Sequence, residues 1–145
     1  MDNETLLELE KTKRYMKRYR RNAALIVRLK IKLETLNQRI YSLRSPKLSD
    51  MPRGGEPVTV ADLVADKTEL EERINKLTIK GRSIKSEILE EIDNLDDTRY
   101  AEILEEFFID CKDFDIIAEE MGYTKRHVIR LYSEGLVALM SVKSH

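Results

Sequence analysis

Apolar or uncharged residues recur along the first third of the chain at Tyr15, Tyr19, Asn22, Ile26, Leu29, Leu33, Leu36, Ile40 and Leu43. The steps alternate between four and three, which is the heptad spacing that keeps one stripe of a helix facing a partner. A second series runs through Leu63, Lys67, Leu70, Ile74, Leu77, Gly81, Ile84, Ile88, Glu91 and Leu95, and persists through its interruptions at Lys67, Gly81 and Glu91. Between the two series lies SPKLSDMPRGGEP, residues 45–57, which holds all three prolines and two adjacent glycines. Such a segment cannot continue a helix, so a loop is predicted there. Residues 1–95 are therefore expected to form a long antiparallel helical hairpin, a coiled coil with arms of about 40 to 55 Å at 1.5 Å per residue.

The pattern changes after Leu95. Asn94, Asp96 and Asp97 make a polar break, and Asp97 or Thr98 is placed to cap a third helix reaching to about Ile109. DCKD, residues 110–113, is the next break. There follows FDIIAEEMGYTKRHVIRLYSEGLVAL, residues 114–139, whose spacing is that of a helix-turn-helix. Two helices cross steeply over a short turn when a small residue lies at the crossing and a glycine takes the turn. Ala118 supplies the first, and Gly122, four positions on, can adopt the positive φ that a side chain resists. Val128 and Leu131 then face back toward Ile117 and Met121, and Thr124 is the expected N-cap of the second helix. Strand-like alternation is absent from the sequence. The expected fold class is all-α, with residues 96–145 as a small C-terminal helix-turn-helix domain.

Composition sharpens this picture through charge. Aromatics make up 6% of the 145 residues and charged residues 37%, thin material for one large globular core and typical of long helices. From Lys11 to Arg44 there are twelve Lys or Arg against one acidic residue, Glu34, a net of +11. From Ala61 to Tyr123 there are eight basic and nineteen acidic residues, a net of −11. Opposite charges on the two long helices favour their antiparallel pairing in one chain. The basic run of residues 11–32 can hold phosphates, but its tyrosines fit the seam and its charges fit a neighbouring acidic helix, which is the preferred reading. Cys111 is alone, so no disulfide framework is expected and a reduced, cytoplasmic setting is. No window is long and apolar enough to span a membrane, and no signal peptide is read at the N-terminus.

Candidate chemistry concentrates at the start of the last predicted helix. With Val128, Leu131, Leu136 and Leu139 turned to the core, Lys125, Arg126, Ile129, Arg130 and Ser133 lie on the opposite side. Arg can grip the O6 and N7 of guanine in a fork, His can donate to a base or phosphate, and Ile can touch a thymine methyl. Thr124, Lys125, Arg126, His127, Ile129, Arg130 and Ser133 are therefore the candidate DNA-binding residues, with Ile117, Ala118, Met121, Gly122, Val128 and Leu131 as the motif core. The acidic residues Asp113, Asp115, Glu119 and Glu120 on the preceding helix suit a protein partner better than phosphate. His127 and His145 lack neighbours at metal-ligand spacing. No phosphate-binding glycine loop or nucleophile elbow is present, so neither an enzyme nor a cofactor is expected.

From about Leu95 to Leu139 the chain resembles the fourth region of bacterial sigma factors, on the residues Tyr100 to Ile109 and DIIAEEMGYTKRHVIRLYSEGLVAL. The order of the whole chain, with SDMPRGG ahead of a second long helix and a closing GYTKRHVIRLYSEGL, is similar to small phage and prophage sigma-like transcriptional regulators. The resemblance implies that Thr124 to Arg130 enter the major groove of a promoter in the bacterial host cytoplasm. It also implies that the surface around the helix from Tyr100 to Ile109 contacts host RNA polymerase. No segment resembles the sigma region that melts the −10 element, so an accessory activator of late phage genes is expected, homodimeric through its hairpin. Two other classes fit the same elements: a DNA-packaging adaptor of small-terminase type, and an inhibitory coiled-coil protein that binds another protein.

Overall fold

A computed structural model describes residues 2–45 and 58–143. Among these residues every regular element is a helix, and the chain is all-α. The order is α1 (Asn3–Met16), α2 (Arg18–Arg44), α3 (Val60–Asp93), α4 (Thr98–Phe108), α5 (Phe114–Met121) and α6 (Lys125–Lys143). The predicted loop at residues 45–57 lies outside the described residues apart from Ser45. No described helix is long and apolar enough to cross a membrane.

Helix starts follow local chemistry. The Asp2 carboxylate accepts from the Thr5 amide at 2.8 Å, and Asp97 accepts from the Arg99 amide at 2.9 Å. Each satisfies an amide that the first turn leaves without a carbonyl. At α3, Thr59 and Asp62 bond reciprocally, with Asp62 N donating to Thr59 Oγ1 at 3.1 Å and Thr59 N to Asp62 Oδ2 at 3.2 Å. This is the two-way cap of a capping box. The sequence carries no hint that the N-terminal segment forms its own helix. The chain is nonetheless helical from Asn3, and a single residue in turn geometry, Lys17, divides α1 from α2.

The chain falls into two compact units, and α2 and α3 contribute to both. The first comprises Met1–Asn22 and Gly81–His145. Its core gathers Ile84, Ile88 and Ile92 of α3, Ile103, Leu104, Phe107 and Phe108 of α4, Ile117 of α5, and Val128, Leu131, Leu136 and Leu139 of α6. Met16 of α1 joins the same cluster, with Leu9, Tyr15 and Tyr19 packed on it. Helix α1 lies against α6, and α6 in turn against α4 and α5. Burying this many apolar side chains, each worth roughly 1.5–3 kcal/mol, is what offsets the cost of ordering four short helices. Gly81 of α3 sits where α3 meets α2: a Cβ there would lie 2.6 Å from Asn22 Nδ2. Close approach therefore explains the glycine at a seam position.

The second unit, Ala23–Lys80, contains the remainder of α2 and α3. Leu36 and Ile40 pack on Leu63, with Leu43, Val60, Val64 and Leu70 around them. Leu29 is buried, while Ile26, Leu33, Ile74 and Leu77 are half-buried. Among the described residues of this unit no ion pair joins the two helices; the charge pairing that the sequence predicts is seen in the first unit, where Arg18 of α2 bonds Glu87 of α3 at 2.6 Å. The acidic residues of α3 here lie at Asp62–Glu72, while α3 from Arg73 to Lys80 is itself basic. Apolar burial along the seam is the attraction between them.

Candidate nucleic-acid interface

The corner between α5 and α6 is built from three residues. Gly122 ends α5 in the left-handed conformation, φ 70° and ψ 29°, and the Tyr123 amide donates back to the Ala118 carbonyl at 2.9 Å. That arrangement closes the last turn of α5 and costs a residue with a Cβ roughly 1–2 kcal/mol, which a glycine avoids. Two residues later the Thr124 hydroxyl accepts from the His127 amide at 3.1 Å and starts α6. Ile117, Ala118, Val128 and Leu131 are buried, and Met121 is half-buried against the same core.

With that face inward, the outward face of α6 follows from the helical period. Thr124, Lys125, Arg126, Ile129, Arg130 and Ser133 are all exposed, and His127 is half-buried. The His127 ring stands edge-on to Tyr123, with centroids 4.7 Å apart. Arg130 Nη2 lies 2.8 Å from His127 Nδ1. A guanidinium can only donate, so Nδ1 is the acceptor in this contact. Lys125 Nζ is 3.4 Å from Asp115 of α5, and Arg130 Nε is 3.9 Å from Glu134. Both pairs are exposed and weak, so they hold the side chains loosely. Among the described residues Arg126 forms no ion pair, which leaves it the freest cation of the row.

Residues outside this face hold the corner in place. Arg20 of α2 donates from Nε to the Phe107 carbonyl at 2.8 Å and from Nη2 to the Lys112 carbonyl at 3.2 Å. Its guanidinium lies 4.1 Å from the centre of the Phe107 ring, and Nη2 lies 3.5 Å from Asp113, the residue before α5. Phe107 in turn stacks on Phe114 at 4.7 Å, and Tyr132 meets both rings edge-on at 5.0 Å. Burial pushes the Tyr132 hydroxyl up to about 12. Lys112 Nζ bridges Glu120 at 2.7 Å and Glu106 at 3.0 Å, and these two carboxylates hold its ammonium well above the usual lysine range. The segment from α4 to α5 is thus tied at both ends by cations.

Comparison of the chain with family models, with curated proteins and with solved structures gives no match. Among the described residues no group of three His, Cys, Asp or Glu side chains is placed to hold a metal ion. Cys111 adopts a left-handed backbone, φ 58°, and its thiol points to the Ile109 carbonyl at 3.6 Å. Burial pushes that thiol up, against the pull of Arg20, so it is not an activated nucleophile.

Sequence reasoning missed three contributors. Arg20 is one of twelve cations in a basic stretch, and its partners are carbonyls 87 and 92 positions away, which no local pattern announces. Gly135 lies in the middle of α6, where a Cβ would sit 3.2 Å from Leu104 and Tyr100 of α4. A glycine inside an amphipathic helix is the one available hint of such close packing. Tyr123, beside the turn glycine, supports the His127 ring and carries no signal in spacing.

Proposed function

We propose that the chain is a DNA-binding regulator of transcription that docks the N-terminal part of α6 in the major groove of duplex DNA. Under this reading α5 and α6 form a helix-turn-helix, and α2 and α3 form an antiparallel hairpin through which two copies associate. The observation that carries it is the exposed row Lys125, Arg126, Ile129 and Arg130, which begins at the capped start of α6 and lies opposite the buried Val128 and Leu131. Recognition helices read base edges with their first turns, so a row of long cationic side chains there meets the geometric requirement. Arg126 and Arg130 are the base-reading candidates, Lys125 and Thr124 the phosphate contacts, and Ile129 and Ser133 line the groove further along.

The exposed side of α5 suits a different partner. Asp115, Glu119 and Glu120 share this helix with Ile116, which is 45% exposed, and Asp115 and Glu120 pair with Lys125 and Lys112. Carboxylates repel phosphate, whereas an exposed apolar side chain on an acidic helix offers a site to a basic protein surface. Under this proposal that surface belongs to RNA polymerase, and the protein is a non-enzymatic accessory activator. The sequence resemblance to sigma-like phage regulators points the same way.

Repeated selection of bound duplexes from a random-sequence library tests the reading. An enriched motif, bound with strong salt dependence, is the expected result. A library that stays unenriched, with no salt-dependent binding to any duplex, rejects it.

A further inference from the structure

One face of the second compact unit divides into a cationic half and an acidic half. In α2, Arg28 precedes the seam residue Leu29 and Lys32 precedes Leu33; in α3, Arg73, Lys76 and Lys80 precede Ile74, Leu77 and Gly81. When two helices pack antiparallel, the positions just before the seam line the same side of the pair. The first unit shows this directly, since Arg18, before Tyr19, bonds Glu87, before Ile88, at 2.6 Å. In the second unit, packing of Leu36 and Ile40 on Leu63 sets the same antiparallel sense. Arg28, Lys32, Arg73, Lys76 and Lys80 therefore share one face.

All five are exposed, and none makes an ion pair among the described residues. Residues 23–33 and 73–80 contain no Asp or Glu at all. Further along the same face, toward the start of α3, Asp62, Asp66 and Glu69 occupy the equivalent positions before or beside the seam, with Arg39 of α2 among them. All four are exposed. The centres of the cationic and acidic halves are separated by about ten residues of helix, roughly 15 Å. That exceeds the screening length of about 8 Å at physiological salt, so within one chain the halves interact mainly at their boundary, where Glu69 and Arg73 stand one helical turn apart.

We propose that this face pairs with the same face of a second copy of the chain. A two-fold axis crossing it near the level of Leu70 lays each cationic half on the other copy's acidic half, giving two identical contacts. A self-complementary patch of this kind is what a closed two-fold interface requires. A nucleic-acid duplex running along the face would meet Asp62, Asp66 and Glu69 with like charge, which disfavours it as the occupant. This pairing rests on the association of copies proposed above, and the mass that reports it is read in the absence of DNA, so its failure and that of the DNA reading are separable.

The test is the mass of the full chain in solution, measured by light scattering across a salt series, with two double variants. Wild type is expected to be a dimer at low salt that dissociates as salt rises. Lys32→Glu with Arg73→Glu, the acidic variant, takes the cationic half from +5 to +1; Asp66→Lys with Glu69→Lys, the basic variant, takes the acidic half, Arg39 included, from −2 to +2. Each variant alone is expected to self-associate at least tenfold more weakly, with helical content unchanged. An equimolar mixture of the two is expected to form a one-to-one complex. Retained self-association in both variants, or no complex on mixing, overturns the proposal. A monomeric wild type whose binding to a generic duplex falls in the acidic variant and rises in the basic one overturns it too, and assigns the cationic half to nucleic acid.

Discussion

The guanidinium of Arg20 covers the ring of Phe107 at 4.1 Å while its Nε donates to the carbonyl of that same residue at 2.8 Å. One side chain from α2 thus grips both the aromatic cluster and the backbone at the end of α4. The last carbonyls of a helix lack internal partners, and a charged donor there is worth more than a neutral one. Because Phe107 stacks on Phe114, the first residue of α5, the grip extends to the helix that carries α6.

Arg20→Ala is expected to destabilise the chain by about 2–3 kcal/mol, from two lost charge-assisted hydrogen bonds and an uncovered ring. Arg20→Lys keeps the charge but cannot bond two carbonyls with a planar fork, so it should recover less than half of that loss. Urea unfolding of the three proteins measures both steps. Full recovery by lysine would show that charge alone is at work.

Gly122 and Gly135 are needed for different reasons, and substitutions separate them. A Cβ at Gly122 meets nothing within 4 Å, so the cost of Gly122→Ala, about 1–2 kcal/mol, is purely that of the left-handed backbone. Gly122→Asn should return most of it, since asparagine tolerates that conformation. At Gly135 the constraint is space: Gly135→Val forces α6 away from Leu104 and Tyr100 and should cost about 1–3 kcal/mol. Thermal unfolding distinguishes the two patterns, and equal effects of Asn and Val at both sites would contradict the assignment.

Tyr132 gives the fold a defined alkaline limit. Its hydroxyl is raised from 10.0 to about 12 by burial, so the folded state holds this proton more tightly than the unfolded chain. The associated stability is complete below pH 10 and is lost as pH rises toward 12. Each tenfold gain in proton affinity is worth about 1.4 kcal/mol, which makes the whole effect roughly 2–3 kcal/mol. Tyr132→Phe should flatten the fall of unfolding free energy across this window relative to wild type. An unchanged slope would mean that other groups carry it.

The periodic features of the sequence correspond closely to burial. Every position of the two apolar series is buried or half-buried, including Lys67, Gly81 and Glu91, because a helix returns each such residue to one face whatever its chemistry. The cap at Asp97 and the turn at Gly122 are legible for a similar reason: each depends on residues within four positions. What depends on distant partners is not legible. Helix α1 has an acidic, unpatterned opening, and its place against α6 follows from Met16 and Leu9 meeting a core assembled from the other end of the chain. Arg20 and Lys112 look like any surface cation until the fold brings carbonyls and carboxylates around them. In the candidate interface, the period of α6 separates exposed Arg126 and Arg130 from buried Val128 and Leu131, while the Asp115, Tyr123 and Glu134 contacts that tune those side chains require the structure.

The central claim, that the outward face of α6 reads DNA, is tested most directly by equilibrium binding of wild type, Arg126→Ala and Arg130→Ala to a duplex returned by selection. Both positions are exposed, so helical content and unfolding midpoint should stay at the wild-type values. Each variant is expected to bind that duplex about 1–3 kcal/mol more weakly and to discriminate less at one base position. Affinity and base preference unchanged in both variants would contradict the account.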